Sequence, residues 1–315
     1  MADRRWRSLL TWGFTLAVVA FGGRALHSQW GSVAALRAST PADWPGILMA
    51  SILVGASYAV LILTWRVTVH AWGESLPMTA AARIWLISNL GRYVPGKVWQ
   101  IGAMGVMAQE AGVSSVAAVG SALVVSLVHV IVGFGVVAVT GLPLLRSLVP
   151  VGTPLLPVLL LGLVATLAMP WVLPWVATLA TRVTGRAIAL PRLPARAVWV
   201  AAAGSAAGWS LFGIAFHRLG AALLGHATGD AATSVAVFTL SYLAGFLALI
   251  APGGLGVREV VMAGLLTSTG LASGAEATWL VVGSRLWLTV LEILPGLVLL
   301  LVPRRRDAVP SARPS

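Results

Sequence analysis

The chain has 315 residues, 58% hydrophobic and only 10% charged, with a mean hydropathy of +0.93. A soluble domain carries about 25% charged residues, so this composition excludes an ordinary soluble fold and marks an all-α polytopic membrane protein. The absence of cysteine excludes disulfides, thiolate metal sites and cysteine nucleophiles. The formal charge of +12 fits a membrane protein whose cytoplasmic loops collect arginine, not a nucleic-acid binder.

The first segment, MADRRWRS followed by LLTWGFTLAVVAFGG, has the basic and apolar regions of a signal peptide. No small-x-small cleavage site follows, so residues 8–24 are read as an uncleaved first span. A second span is predicted over 46–70. Residues 81–110 are also apolar but are interrupted by SNLGRYVPGKVWQ (88–100), which sets Arg92, Pro95, Gly96, Lys97 and Gln100 within nine positions. Spans are then predicted over 114–141 and 154–179. A basic linker with Arg182, Arg186, Arg192 and Arg196 follows, and then a span over 197–218. Residues 231–272 are interrupted by YLAGFLALIAPGGLGVREV (242–260). The last span is 278–302, before a basic tail, 303–315, with Arg304, Arg305 and Arg306. The fourteen tryptophans are expected mostly as interfacial anchors.

Charge decides the topology of the first interrupted region. The N-terminal arginines, the linker and the tail all belong in the cytoplasm, and residues 26–44 and 219–230 outside. If 81–110 crossed once, the linker would fall outside. A dip that returns to the same side puts it inside. The arms, about 12 and 14 residues long, rise about 18 and 21 Å, enough to reach the midplane and too short to cross. For 231–272, a hairpin from the outer face and two full crossings satisfy the charge rule equally. The expected fold is therefore about six full spans plus two re-entrant hairpins, with eight spans as the alternative.

The order span, span, broken segment, span occurs twice, and Pro95-Gly96 and Pro252-Gly253 lie 157 residues apart. Residues 1–302 are thus expected to form a single transmembrane domain of inverted halves, about 1–141 and 154–302. Paired interrupted segments of this kind point to a transporter's site at the midplane. The alternative is that the Pro-Gly pairs only kink two ordinary helices, which leaves the cations beside them unexplained.

The candidate headgroup-binding residues follow from the two breaks and the last span. They are Arg92, Tyr93, Pro95, Gly96, Lys97 and Gln100 at the first, and Pro252, Gly253, Gly254, Gly256, Arg258 and Glu259 at the second. Arg285 and Glu292 join them from the last span. Broken helices expose backbone N–H groups that attract anions, arginine offers a fork for phosphate and lysine a point charge. Arg285 and Glu292, seven apart, share a face but sit about 10 Å apart along the axis and do not pair. A salt bridge from Arg285 to Glu259 is the structural alternative for that pair. Arg258 and Glu259 have an alternative role capping the following helix. Glu110 is a candidate partner for Arg83 or Arg92, and His129 is expected to hydrogen-bond a neighbouring helix. No Gly-rich phosphate loop follows a strand and no metal-ligand spacing occurs, so neither cofactor nor metal is expected.

PGGLGVRE (252–259), with NLGRYVPGK (89–97), resembles the transmembrane region shared by lysylphosphatidylglycerol synthase/flippase proteins and their stand-alone relatives. The resemblance covers nearly the whole chain. It implies an integral membrane fold with re-entrant elements that moves or presents an anionic lipid headgroup. The chain ends thirteen residues after the last span, so it is similar to stand-alone members without the aminoacyl-transferase domain, and lysyl transfer is not expected. The expected function is a flippase of the plasma (inner) membrane, both termini cytoplasmic, for an anionic phospholipid or polyprenyl-phosphate-linked lipid. Its partners would be that lipid and possible cell-envelope biosynthesis enzymes, with no nucleic acid. The alternatives are an intramembrane transferase using Glu259 or Glu292 as base and a non-transporting partner of glycosyltransferases.

Overall fold

A computed structural model describes residues 43–93, 98–148, 194–248 and 254–302, with isolated positions between 157 and 182. The described residues are helical, with no strand among them. In chain order the helices are α1 (Trp44–Ala71), α2 (Met78–Asn89), a 3-10 turn (Leu90–Tyr93), α3 (Val98–Glu110), α4 (Ser115–Thr140) and α5 (Leu142–Leu148), then α6 (Ala195–Leu224), α7 (Ala231–Leu247), α8 (Val257–Ser268) and α9 (Gly274–Leu301). The protein is an all-α polytopic membrane protein: α1, α4, α6 and α9, of 26 to 30 residues, are long and apolar enough to cross a bilayer. They correspond to the expected spans 46–70, 114–141, 197–218 and 278–302. The expected spans 8–24 and 154–179 lie outside the described residues, wholly and largely respectively, as do most of the basic linker and the tail.

Local sequence sets the helix ends. The Asp43 carboxylate accepts from Gly46 N at 3.1 Å and starts α1. Asp230 accepts from Thr233 N at 2.8 Å and starts α7. Gly225, with φ of 73°, closes α6 in a left-handed cap. Each side chain takes one of the N–H groups a helix terminus leaves open.

The helices of both interrupted segments are shorter than the four long ones. α2 and α3, of 12 and 13 residues, rise about 18 and 20 Å, and they pack on each other. α7 and α8, of 17 and 12 residues, rise about 26 and 18 Å and also pack together. Two full crossings over 231–272 would need α8 to span roughly 30 Å. Its length is that of a hairpin arm. The order long helix, two short helices, long helix is found on both sides of α5: α1, α2–α3, α4 and then α6, α7–α8, α9.

The long helices meet through small residues. Between hydrocarbon-facing helices no hydrophobic gain favours contact, so close backbone approach and hydrogen bonds do the work. α1 and α6 make the largest interface. There Ser57 Oγ donates to the Gly208 carbonyl at 3.1 Å, and Gly204 lies so close that a Cβ on it would overlap Thr64. Three indoles act as ties, not as surface anchors. Trp209 Nε1 donates to the His129 carbonyl of α4 at 2.8 Å, Trp65 Nε1 to the Ala118 carbonyl at 3.2 Å, and Trp287 Nε1 to Ser51 Oγ at 2.9 Å. Trp44, Trp99 and Trp199 keep the exposed positions expected of anchors.

Two tests follow. A Cβ on Gly213 would sit 2.6 Å from Val235 Cα, so Gly213→Val must push α6 off α7. It should cost about 1–3 kcal/mol of stability, read as a lower thermal midpoint in detergent. Gly264→Ala, which meets nothing within 4 Å, should leave the midpoint unchanged.

The second concerns the loop after α6. His226 Nε2 lies 3.1 Å from Glu276 Oε1. The Ala227 carbonyl and the Glu276 carboxylate hold this imidazole above the usual histidine range. A raised folded value means that the contribution is complete below the unfolded value of about 6.5 and is lost as pH rises through the folded one. Both side chains are well exposed, 54% and 33%, so solvent screening keeps the tie below about 1 kcal/mol. The midpoint difference between wild type and His226→Gln should be larger at about pH 5.5 than at about pH 8.5.

Candidate functional site

The two broken segments frame a cavity of about 310 Å³ lined from α1, α2, α3, α4, α6, α7, α8 and α9 and from the ends of both breaks. Most of its wall is apolar and aromatic: Tyr58, Leu61, Trp85, Met104, Val125, Trp209 and Phe212. The polar groups are few and concentrated, namely Arg92, Gln100, Ser126, His129, Tyr242, Arg258, Arg285 and Glu292. Five of these were expected from the sequence. Gly254 also lines the cavity.

Each break closes on itself through glycine. A Cβ on Gly91 would stand 2.7 Å from Gln100 N, so the arms on either side of the first break nearly touch. Gln100 Nε2 donates to the buried Asn89 Oδ1 at 3.2 Å and stitches α3 to the end of α2. In the second hairpin Gly245 meets Gly254, where a Cβ would lie 2.8 Å from the Gly245 carbonyl oxygen. Gly254 and Gly256 have φ of 71° and 81°, values that favour glycine. Pro95, Gly96, Lys97, Pro252, Gly253 and the Tyr93 side chain lie outside the described residues.

The signature PGGLGVRE divides its work. Gly256 caps α8, and its N–H donates to Glu259 Oε2, so Glu259 is the capping-box residue of that helix. Glu259 Oε1 stands 3.4 Å from Arg285 Nε, which is the pairing given above as the structural alternative. Arg258 does not cap. It points into the cavity, 5% exposed, with its guanidinium 4.9 Å from the Tyr242 ring centroid and 5.3 Å from that of Phe238. Its Nη2 is buried with no hydrogen-bond partner among the described residues, and no carboxylate there lies within 4.0 Å of it. It also sits in the first turn of α8, where the helix dipole disfavours a cation. Burial, the lack of a carboxylate within 4.0 Å among the described residues, and the dipole all oppose Arg258.

Arg92 joins the two halves. Its Nη1 donates to Glu292 Oε1 at 3.0 Å and to the Tyr242 hydroxyl at 2.8 Å. The 3-10 turn thus aims Arg92 at α9 and the cavity. Glu292 is only 8% exposed at its side chain. His129 also departs from expectation. Its ring stacks on Trp209 at 4.3 Å and 14°, and its buried Nδ1 has no partner among the described residues. The hydrogen bond to a neighbouring helix is made by the His129 backbone carbonyl instead.

Tyr242 was not named in advance as a site residue. It receives the Arg92 hydrogen bond on its hydroxyl and Arg258 on its ring, so it holds both cations in register. One signal was available: it is one of only three tyrosines in the chain, placed ten residues before Pro252.

The fold and cavity define a polytopic α-helical membrane protein with a part-enclosed arginine site between two broken helical segments. The chain belongs to the family described as the lysylphosphatidylglycerol synthase TM region, whose model matches residues 8–296. No curated protein matches it at a significant level.

The Arg92–Glu292 tie is testable by a double-mutant cycle. Glu292→Gln should cost about 1–3 kcal/mol, since it leaves Arg92 facing a neutral amide. Arg92→Gln with Glu292→Gln should recover part of that loss. Additive thermal shifts would mean that the pair contributes nothing across the two halves.

Proposed function

We propose that the protein is a lipid translocase, moving an anionic phospholipid or a polyprenyl-phosphate-linked lipid across the plasma membrane. Membership of the lysylphosphatidylglycerol synthase TM region family supports a lipid-related role in the membrane. The observation that carries the reading is Arg258, a buried guanidinium whose Nη2 has no hydrogen-bond partner and which has no carboxylate within 4.0 Å among the described residues, in a cavity framed by both breaks. Such a charge is costly unless a ligand compensates it. A lipid phosphate does so, while its chains remain in the bilayer.

In this reading the two halves, about 1–141 and 154–302, are inverted repeats that rock about the cavity, with both termini cytoplasmic. Arg92, Arg258 and Arg285 replace water around the phosphate, with Lys97 contributing from the first break. No bond is made or broken, so the protein acts as a carrier, not an enzyme, and cell-envelope biosynthesis enzymes are partners that would supply or consume its cargo.

The test is translocation of labelled lipid in proteoliposomes. Arg258→Gln should slow an anionic lipid by about tenfold to a hundredfold, the worth of one charged hydrogen bond. Arg258→Lys should restore part of the rate, since it keeps the charge and loses the planar fork. A zwitterionic lipid serves as the control. Equal rates for wild type and Arg258→Gln would overturn the proposal.

A further inference from the structure

Among the described residues His129 is the only histidine that lines the cavity, and it lies near the middle of α4. Its ring rests on the Trp209 indole at 4.3 Å and 14°. The indole is fixed from two sides. Its Nε1 donates to the His129 carbonyl at 2.8 Å, and a Cβ on Gly133 would come within 2.8 Å of that nitrogen. The imidazole Nδ1 is buried and has no hydrogen-bond partner among the described residues. Either tautomer leaves it unsatisfied, as an acceptor without a donor or a donor without an acceptor. A phenylalanine would stack on Trp209 equally well and carry no such cost. What the imidazole adds at this position is its capacity to take a proton.

We propose that His129 is a proton-binding site linked to the anion in the cavity, so that a proton is taken up as the anionic lipid binds. The proposal rests on the translocase reading above and adds a coupling ion to it. The groups that carry or acquire charge around the cavity are Arg92 in the 3-10 turn, Tyr58 from α1, Tyr242 from α7, Arg258 from α8, and Arg285 and Glu292 from α9. The described residues of α2, α3 and α6 contribute only uncharged side chains to the wall, among them Trp85, Gln100 and Phe212. Glu259, paired with Arg285, and Arg146 of α5 do not line it. Lys97, assigned to the same phosphate above, lies outside the described residues.

An imidazolium at His129 would add a cation to a space that already gathers Arg92, Arg258 and Arg285 between mainly apolar walls, where charge is poorly screened. A lipid phosphate in the same space reverses that balance, because an anion favours the charged form of a neighbouring base. The Trp209 face favours it too, since a cation over an indole ring is attracted to it. Proton and anion therefore assist each other's binding, reciprocally and by the same factor. The proton comes from bulk water and adds to a ring nitrogen, and no bond in the lipid is broken. The loaded cavity then moves an anion and a proton together, so a pH difference across the membrane biases the direction of transport.

The experiment uses the full chain in detergent. The probe is phosphatidylglycerol, a phosphodiester whose own charge is constant over the range tested, and phosphatidylcholine is the control. Binding is titrated from about pH 8 to about pH 5, across the ordinary histidine range, and proton uptake is read with an indicator dye in weakly buffered solution. The result expected is an affinity that rises about threefold or more as pH falls over that range, with about half a proton or more taken up per lipid bound at about pH 5. His129→Gln should bind the lipid with a flat pH profile and no uptake. His129→Phe, which keeps a ring on Trp209, gives the same readout should the glutamine variant not fold. A histidine with only a structural role would lower affinity in the variants and leave the slope intact, which would overturn the inference. Uptake that persists in either variant would do the same, by assigning the proton to another group, Glu292 first. Phosphatidylglycerol bound in preference to phosphatidylcholine, but with a flat wild-type profile and no uptake, would overturn this inference alone. Phosphatidylglycerol bound no better than phosphatidylcholine would overturn the translocase proposal with it.

Discussion

The constraint on which the structure depends is that hydrocarbon offers no hydrogen-bond partner to a peptide group. A chain this apolar satisfies it with long helices wherever it crosses. Where it breaks a helix, it must bring other protein to cover the break. That requirement accounts for the glycine contacts on each side of both breaks, Gly91 against Gln100 and Gly245 against Gly254. The cavity is the space these covered breaks enclose, and its polar groups are those that the breaks and α9 deliver.

A cluster of arginines is tolerable in such a place only with local compensation. Glu292 and Glu259 supply it for Arg92 and Arg285, and aromatic faces supply it for Arg258. Glu259 does two jobs, holding the N–H of Gly256 with one oxygen and facing Arg285 with the other. The first turn of α8 is thereby tied to the middle of α9. The geometry of the site is set by the same contacts that start a helix.

How much of this was legible follows the range of each interaction. Helix lengths depend on local hydropathy, so residues 46–70 and 114–141 fall within two residues of α1 and α4 at each end. The short arms were legible from the Pro-Gly breaks, and so was the convergence of Arg92, Gln100, Arg258, Arg285 and Glu292, because cations and acids in apolar sequence need a common wet or protected place. Pairings were harder. Arg92 and Glu292 are 200 residues apart, and no local pattern links them. Tyr242 reads in sequence as one more amphipathic ring in an apolar helix, and only the folded backbone brings its two ends against two different arginines. His129 was expected to bond through its ring because a polar side chain in a span usually does. Stacking on Trp209 leaves only the backbone carbonyl to make that link.

The sharing of one nitrogen by Tyr242 and Glu292 has a mechanical consequence. Arg92 belongs to the first hairpin, Tyr242 to the second and Glu292 to the final span, so a single atom joins three elements that are also linked by the packing of α9 on α2 and α8. Hydrogen bonds lose strength steeply with misalignment, and a nitrogen engaged in two directions cannot follow one partner without leaving the other. Under the proposed carrier reading, this shared nitrogen would couple movement of one hairpin to the other. In the proposed carrier the two hairpins would be coupled at the cavity that takes the cargo, and not at the membrane surface.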